Sequence, residues 1–397
     1  MSLNQTPSGE RTHIAFFGRR NAGKSSLLNA VTNQDIAIVS ETKGTTTDPV
    51  YKAMELLPLG PVMLIDTPGI DDEGTLGEMR VKKAKQVLNK TDVAVLVCDG
   101  SEKLFDSDRE LIKLFEEKDV PYLVVFNKSD LAVDKAELKD NELSVSAKTG
   151  ENVGLLKEKL ASFAVKSEKR LVADLIEKDD ILVLVTPIDS AAPKGRLILP
   201  QQQTIRDILD SEASCVVTRE DTLQSVLDNL KNDPKLVITD SQAFEKVARI
   251  VPKNVKLTSF SILMARYKGF LDCAVKGVAT IPDLKDGDTV LISEGCTHHR
   301  QCGDIGTQKL PKWLKEFTKT ELDFEFSSGT GFPEDLSKYS LVIHCGGCML
   351  NEREMTYRMN CSTDQGVPFT NYGVTIAYLN KILKRSLEIF PDLADMV

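Results

Sequence analysis

Eight residues, Gly18-Arg19-Arg20-Asn21-Ala22-Gly23-Lys24-Ser25, constrain this chain more than any other feature of it. They follow His13–Phe17, an apolar run with the length of a strand, and they open Lys24–Thr32, a stretch of helical character. Gly-x4-Gly-Lys-Ser in that setting is a phosphate-binding loop. Gly18 and Gly23 let the backbone curl so that its N–H groups face inward, and the helix N-terminus adds positive potential at the same point. Lys24 is expected to reach the β- and γ-phosphates of a nucleotide and Ser25 to ligate magnesium, with Ser26 beside it. A loop of this kind needs a strand behind it and a helix ahead of it, which predicts an α/β unit with a parallel sheet.

The segments that follow keep to that plan. Strand-like runs at Val62–Ile65, Val93–Cys98, Tyr122–Phe126 and Leu143–Val145 alternate with helical stretches near Met79–Leu88, Asp108–Glu117 and Val153–Phe163. Asp66-Thr67-Pro68-Gly69 closes the first of these strands, where Asp66 can hold the magnesium shell and the Gly69 amide can meet a γ-phosphate. Asn127-Lys128-Ser129-Asp130 closes another. There Asp130 can accept from two guanine N–H groups, a pairing that adenine cannot satisfy without leaving the charge unpaired. Ser146-Ala147-Lys148 closes a third and can offer a backbone amide to guanine O6. Gly44-Thr45-Thr46-Thr47-Asp48 lies where a mobile switch is expected, and Thr46 is the candidate second magnesium hydroxyl. Over residues 11–165 this series resembles the translation-factor-like GTPases, in particular the group containing the tRNA-modification and ribosome-assembly GTPases. The resemblance implies GTP as ligand, with Lys24, Thr46 and Gly69 acting at the γ-phosphate. Ile70 stands where Ras-like enzymes carry a water-orienting glutamine, so intrinsic hydrolysis is expected to be slow. Asn21 resembles the asparagine that holds a potassium ion beside the phosphates in tRNA-modification GTPases, which implies potassium stimulation.

At 397 residues the chain is long enough for two or three domains, and 41% hydrophobic with 27% charged residues is ordinary for globular proteins. A net charge of −9 argues against a broad nucleic-acid-binding surface. No apolar run reaches the length of a membrane span, and Met1–Arg11 is too polar for a secretory signal, so a cytoplasmic protein is expected. The fold class expected is α/β in three domains: a P-loop small-GTPase fold over 1–168, then two further α/β domains with mainly parallel sheets, 169–264 and 265–397. The charge-rich stretch Lys166–Asp180 predicts a helical connection. The middle block carries no nucleotide motif and is expected to be a scaffold or dimerisation domain; Asp240 or Ser241 is the expected cap of its helix near Phe244. In the third block strands are predicted at Thr289–Ser293, Leu322–Phe326 and Leu341–Ile343, and helices at Pro311–Phe317, Glu352–Met359 and Ile376–Ile389.

Five of the eight cysteines (Cys296, Cys302, Cys345, Cys348 and Cys361) lie in that last block with His298, His299 and His344. In a reducing setting this points to metal or redox chemistry before disulfides. Cys296-Thr297-His298 and His344-Cys345-Gly346-Gly347-Cys348 each follow a strand, so if those strands are neighbours three thiolates converge. Zinc bound by the three cysteines and one histidine would be structural; an iron–sulfur cluster on the three thiolates would leave one iron open. Thiolate softness suits both. His298 and His344 are candidates for the fourth position or for hydrogen-bonding support of the cluster, and Glu294 and Asp304 are oxygen candidates for the same vacancy. His299 and Cys302 are taken as bystanders, and Cys361 as a core residue.

Cys-x-His, a gap of 45 residues, then His-Cys-x-x-Cys, behind a small GTPase and a plain α/β block, resembles the HydF-type maturation GTPases of iron-only (FeFe) hydrogenases along the whole chain. The resemblance implies a 4Fe–4S cluster on Cys296, Cys345 and Cys348 with a labile fourth position. It also implies a homodimeric scaffold that receives a diiron precursor made with two radical-SAM maturases and passes it to apo-hydrogenase. An RNA-associated GTPase and a zinc-stabilised regulatory GTPase are the alternatives; no nucleic acid or membrane partner is expected.

Overall fold

Ile14, Ala15, Phe16 and Phe17 have no solvent exposure, a property of a strand covered on both faces. They belong to β1 (Thr12–Phe17), at the centre of a six-stranded sheet. The computed structural model describes residues 6–33, 48–69, 83–131, 138–163, 169–187, 197–295, 304–329 and 331–396, and the chain divides into two units, 1–167 and 168–397.

In the first unit β2 (Val50–Leu56), β3 (Gly60–Asp66), β4 (Val93–Asp99), β5 (Tyr122–Asn127) and β6 (Glu142–Ser144) join β1 in the order β2-β3-β1-β4-β5-β6. All neighbours are parallel except β2 and β3. Successive β1 side chains point to opposite faces. Ile14 and Phe16 pack with α1 (Lys24–Thr32) and α3 (Val153–Phe163), while Ala15 and Phe17 pack with α2 (Asp106–Glu117). The strand β2 has no counterpart among the predicted runs. Its exposed positions are Tyr51, Ala53 and Glu55 and its inward set includes Lys52, so polarity does not alternate with the pleat. The C-terminal ends of β1, β3, β4 and β5 lie along one sheet edge, where open α/β sheets place their ligands.

The second unit carries two parallel four-stranded sheets. One has β7 (Ile181–Val185), β8 (Ser214–Thr218), β9 (Leu236–Thr239) and β10 (Lys256–Ser259) in the order β10-β9-β7-β8. The other has β11 (Thr289–Glu294), β12 (Asp323–Ser328), β13 (Leu341–His344) and β14 (Phe369–Asn371) in the order β12-β11-β13-β14. Their longer helices are α4 (Leu199–Asp210), α5 (Leu223–Asn229), α6 (Phe244–Ile250), α7 (Phe260–Tyr267), α8 (Leu271–Val278), α9 (Leu310–Thr318), α10 (Glu352–Thr363) and α11 (Tyr372–Leu379). One apolar core runs through both sheets, joining Val183, Val237 and Phe244 to Val290, Ile292, Val342 and Phe369. Helix α8 presses on β14 so closely that a Cβ on Gly277 would lie 2.1 Å from the Phe369 carbonyl oxygen.

Three expectations change here. Over residues 169–180 the charged connection holds only one turn of 3-10 helix, Ala173–Leu175. Asp207 Oδ2 accepts the N–H groups of Leu171, Val172 and Ala173 at 3.0, 2.7 and 2.8 Å, and Leu171 and Val172 are buried, so these amides serve an anchor instead of a helix. The helix predicted at Ile376–Ile389 is broken. α11 ends in a Schellman motif, with Lys381 at φ 59°, its N–H bonded to Tyr378 O, and Ile382 N–H bonded to Ala377 O; a short helix, Leu383–Ser386, follows. Asp240 precedes a 3-10 turn, Ser241–Ala243, but its carboxylate accepts from Gln201 Nε2 at 2.7 Å and makes no cap bond.

Candidate functional site

The phosphate-binding loop is shaped by residues with little alternative. Gly18 (φ 137°) and Gly23 (φ 89°) adopt backbone conformations that favour glycine, and a Cβ would meet Val97 O or Asn127 Nδ2 at 2.2 Å in each case. Asn21 also sits in the left-handed region, at φ 62°, with its side chain exposed. Lys24 is buried, and its ammonium donates to Gly18 O at 3.0 Å and Arg19 O at 2.7 Å. Ser25 Oγ donates to Asp66 Oδ2 at 2.7 Å, which joins the two expected magnesium residues, one in the first turn of α1 and one at the end of β3. The other oxygen, Asp66 Oδ1, is buried and accepts no hydrogen bond from the described residues. Burial pushes the Asp66 carboxyl above its ordinary pKa, with Ser25 and Lys24 pulling the other way. A half-buried carboxylate with one buried, idle oxygen beside a serine hydroxyl fits a divalent cation. Gly69 packs on the loop, where a Cβ would lie 2.8 Å from the Arg20 amide nitrogen.

Asn127 ties the phosphate loop to the segment expected to meet the base. Its Nδ2 donates to Ala22 O at 3.1 Å and Gly23 O at 3.4 Å, and its Oδ1 accepts from the Ala147 amide at 3.0 Å. Asp130 is exposed and accepts from the buried Ser146 hydroxyl at 2.6 Å, so the carboxylate expected to read guanine is held from behind with its face open. Lys148 is exposed beside it, and Ser26 is exposed on α1. Lys128 (φ 64°) pairs with Asp99 at 2.5 Å. Burial raises the Asp99 pKa, but the bonds from Lys128 and Ser101 outweigh that and leave it low. Arg19, for which the sequence offered no decisive role, lies over the Phe105 ring at 3.6 Å and pairs with Glu102 at 3.5 Å. With Asn21, Cys98 and Lys128 it lines a cavity of about 260 Å³ against the loop. Thr46 and Ile70 lie outside the described residues.

In the second unit β11 and β13 are neighbours, with Ser293 opposite His344. That adjacency brings Gly295, the residue before Cys296, and Cys345 to one sheet edge. The Cys345 amide donates to Ser293 O at 2.8 Å, and Cys345 Sγ accepts from the Gly295 amide at 3.1 Å and the Gly347 amide at 3.4 Å. Two N–H groups aimed at one sulfur suit a thiolate. Gly347 (φ 63°) makes the turn between Cys345 and Cys348, and a Cβ there would lie 2.5 Å from Met355 Sδ. Cys296, His298, His299 and Cys302 lie outside the described residues. Among the described residues no group of three or more His, Cys, Asp and Glu side chains comes together as a metal site.

His344 is fully buried. Its ring meets Cys345 O through Nδ1 at 2.7 Å and Arg358 Nη1 through Nε2 at 3.1 Å. Burial, then the Arg358 charge, push its pKa down to about 3 against the Cys345 hydrogen bond, so the ring is neutral. Arg358 had carried no motif signal; only the return of α10 to the strand ends brings it to a residue fourteen positions earlier. Glu294 is buried and accepts from the Tyr372 hydroxyl at 3.3 Å. Burial raises the Tyr372 pKa, and Cys345, Glu294 and Asp304 add negative charge in the same direction. Asp304 caps the turn Ile305–Lys309, accepting from Thr307 N at 2.8 Å and Thr307 Oγ1 at 2.9 Å. Cys361 lies within α10 and packs partly buried against the core. Among the described residues no helix is long and apolar enough to cross a membrane.

Residues 13–128 match the family model of the 50S ribosome-binding GTPases, residues 171–269 that of the hydrogen maturase F dimerization domain, and residues 272–389 that of the hydrogen maturase F tetramerization domain. The tRNA modification GTPase MnmE of Streptococcus pyogenes is 33% identical over 173 residues, 43% of this chain and 36% of that protein. The chain thus spans about a third of the length of the curated relatives it matches. Among solved structures, Era from Aquifex aeolicus bound to GDP and aluminium fluoride aligns with 60% of this chain and 97% of its own at 20% identity and a TM-score of 0.35. The G domain of the T. maritima FeoB iron transporter aligns with 39% and 99% at 25% identity and a TM-score of 0.31. With a P-loop GTPase domain at its N-terminus and both maturase domains behind it, the chain belongs to the HydF-type hydrogenase-maturase GTPases.

Proposed function

We propose that this protein is a GTP-hydrolysing scaffold that holds a 4Fe–4S cluster on Cys296, Cys345 and Cys348, accepts a diiron precursor at the open corner, and passes it to apo-hydrogenase. The observation that carries the reading is the Gly295 amide 3.1 Å from Cys345 Sγ, because Cys296 is the next residue in the chain. The donor set fits: soft sulfurs, backbone N–H groups turned toward one of them, and a glycine turn between Cys345 and Cys348. A cluster bound by three thiolates supplies one exchangeable coordination position, which four-thiolate binding does not. His344 serves the site through hydrogen bonds, since both of its ring nitrogens are engaged.

In the first unit Lys24 and the loop amides would receive the phosphates, Asp130 and the Ala147 amide the guanine, and Asn21 a potassium ion. Ser25, Thr46 and Asp66 would hold magnesium, which when bound offsets charge on the β- and γ-phosphates. Domains at 1–168, 169–264 and 265–397 would then divide the work into nucleotide binding, dimerisation and cluster binding, with tetramers formed from dimers. The partners are apo-hydrogenase and two radical-SAM maturases, and a reducing cytoplasm suits open thiolates.

Anaerobic reconstitution with iron and sulfide, read by absorption and EPR, tests the reading. Wild type should take up one cluster per chain, and C296A, C345A and C348A should each lose it. Uptake of zinc alone, with no iron–sulfur signal, would overturn it.

A further inference from the structure

We infer that Arg358 is a positioning residue for the cysteine loop: it fixes the tautomer of His344 and, through that ring, the backbone of Cys345. The inference rests on the cluster reading above and names a device that serves it.

The hydrogen-bond chemistry leaves one arrangement. A guanidinium has donors and no acceptor. Because Arg358 Nη1 lies 3.1 Å from His344 Nε2, that nitrogen must carry the lone pair. The proton is then on Nδ1, which donates to Cys345 O at 2.7 Å. Arg358 also donates through Nη2 to Gly329 O at 2.6 Å, just past the end of β12. The strand order is β12-β11-β13, so one side chain from α10 bonds the ends of the two strands that flank β11. β11 leads through Gly295 to Cys296, and β13 leads to Cys345. The strap therefore ties the strand ends on either side of β11, including the one that leads into Cys345.

Its surroundings hold it in one place. Arg358 is 1% exposed, and its charge is met by Glu354, with Nε at 2.9 Å and Nη2 at 2.8 Å from Oε1. The Phe332 ring lies 5.2 Å from the guanidinium carbon, and the Phe369 ring stacks on His344 at 6.0 Å. A buried ion pair is weak support for stability, since apolar side chains of similar volume usually serve as well. Geometry is what an apolar replacement would not supply.

The test uses the full chain, reconstituted anaerobically with iron and sulfide, in wild type and in R358M, R358K and H344F. R358M should hold iron roughly 10–100-fold more weakly in competition with a chelator, as outer partners of metal ligands do. Its reduced cluster should show shifted EPR g-values and a lower midpoint potential, with GTP hydrolysis unchanged. R358K should recover part of the loss, because lysine can donate to Nε2 but cannot also bridge to Gly329. H344F keeps a buried ring without the Nδ1 proton and should reproduce the R358M spectra; it decides the matter if R358M does not fold. Wild-type g-values and iron retention in R358M and H344F would overturn the positioning role alone. A wild-type chain that takes up no cluster would overturn the cluster reading along with it.

Discussion

Replacing Gly277 by alanine separates local preference from tertiary packing, because the two predict opposite signs. Gly277 lies inside α8, outside the positive-φ conformations, so by helix propensity alone Gly→Ala should stabilise by about 1 kcal/mol. Yet the new Cβ would stand 2.1 Å from the Phe369 carbonyl oxygen and 2.6 Å from its carbon, and backbone cannot rotate away as a side-chain tip can. Relieving that contact means moving α8 off β14, an overpacking cost of about 3 kcal/mol at the upper end of the usual range. The net expectation is destabilisation of about 2 kcal/mol, or about 4–8 °C in Tm for a unit of this size. Trp313, the single tryptophan, lies in α9 of the second unit, so its fluorescence during heating follows that unit and not the GTPase domain. Because β14 pairs with β13, which ends at His344, iron retention should fall too, while GTP hydrolysis holds. A G277A protein with a raised Tm would refute the close-approach argument.

Three further outcomes follow from the geometry. D207A removes the oxygen that three amides share and should lower stability by about 2 kcal/mol, with D207N intermediate, as read by denaturant unfolding followed at Trp313. The Asp66 carboxyl, raised above 3.8, binds its proton more tightly in the folded chain, and that stabilisation is complete at low pH and is lost as pH rises through the folded value. Nucleotide-free D66N should therefore melt above wild type at neutral pH, converge with it in acid, and lose magnesium-dependent hydrolysis; a D66N chain that melts below wild type at neutral pH contradicts this. GTP hydrolysis should run faster in potassium than in sodium at equal ionic strength, and N21A should abolish the difference, measured by phosphate release.

The P-loop GTPase domain was legible because each motif carries its own turn chemistry at the end of a recognisable strand. Gly18, Gly23, Asp66 and Asn127 are identifiable by type and spacing, and the fold places them on one sheet edge. The cysteine segments were legible as a pair, but no local pattern encodes that β11 and β13, the strands leading to them, are neighbours. β2 was missed because its pleat carries mixed polarity on both sides. His344 looked like a ligand candidate from its place in His-Cys-x-x-Cys. Its ring is engaged by a carbonyl one residue away and a guanidinium on another element.

Sequence alone supplied the P-loop, and it offered a carboxylate expected to read guanine and thiols at a spacing expected for a soft metal. These depend on side-chain identity and on backbone freedoms that act over a few residues. Tertiary structure alone decided which of those groups meet, how strands are ordered, that one core runs through both sheets of the second unit, and that Arg358 straps the strands beside the cysteines. Lateral pairing and burial depend on partners tens of residues away, and a hydrogen bond is fixed only when the fold brings its donor to its acceptor.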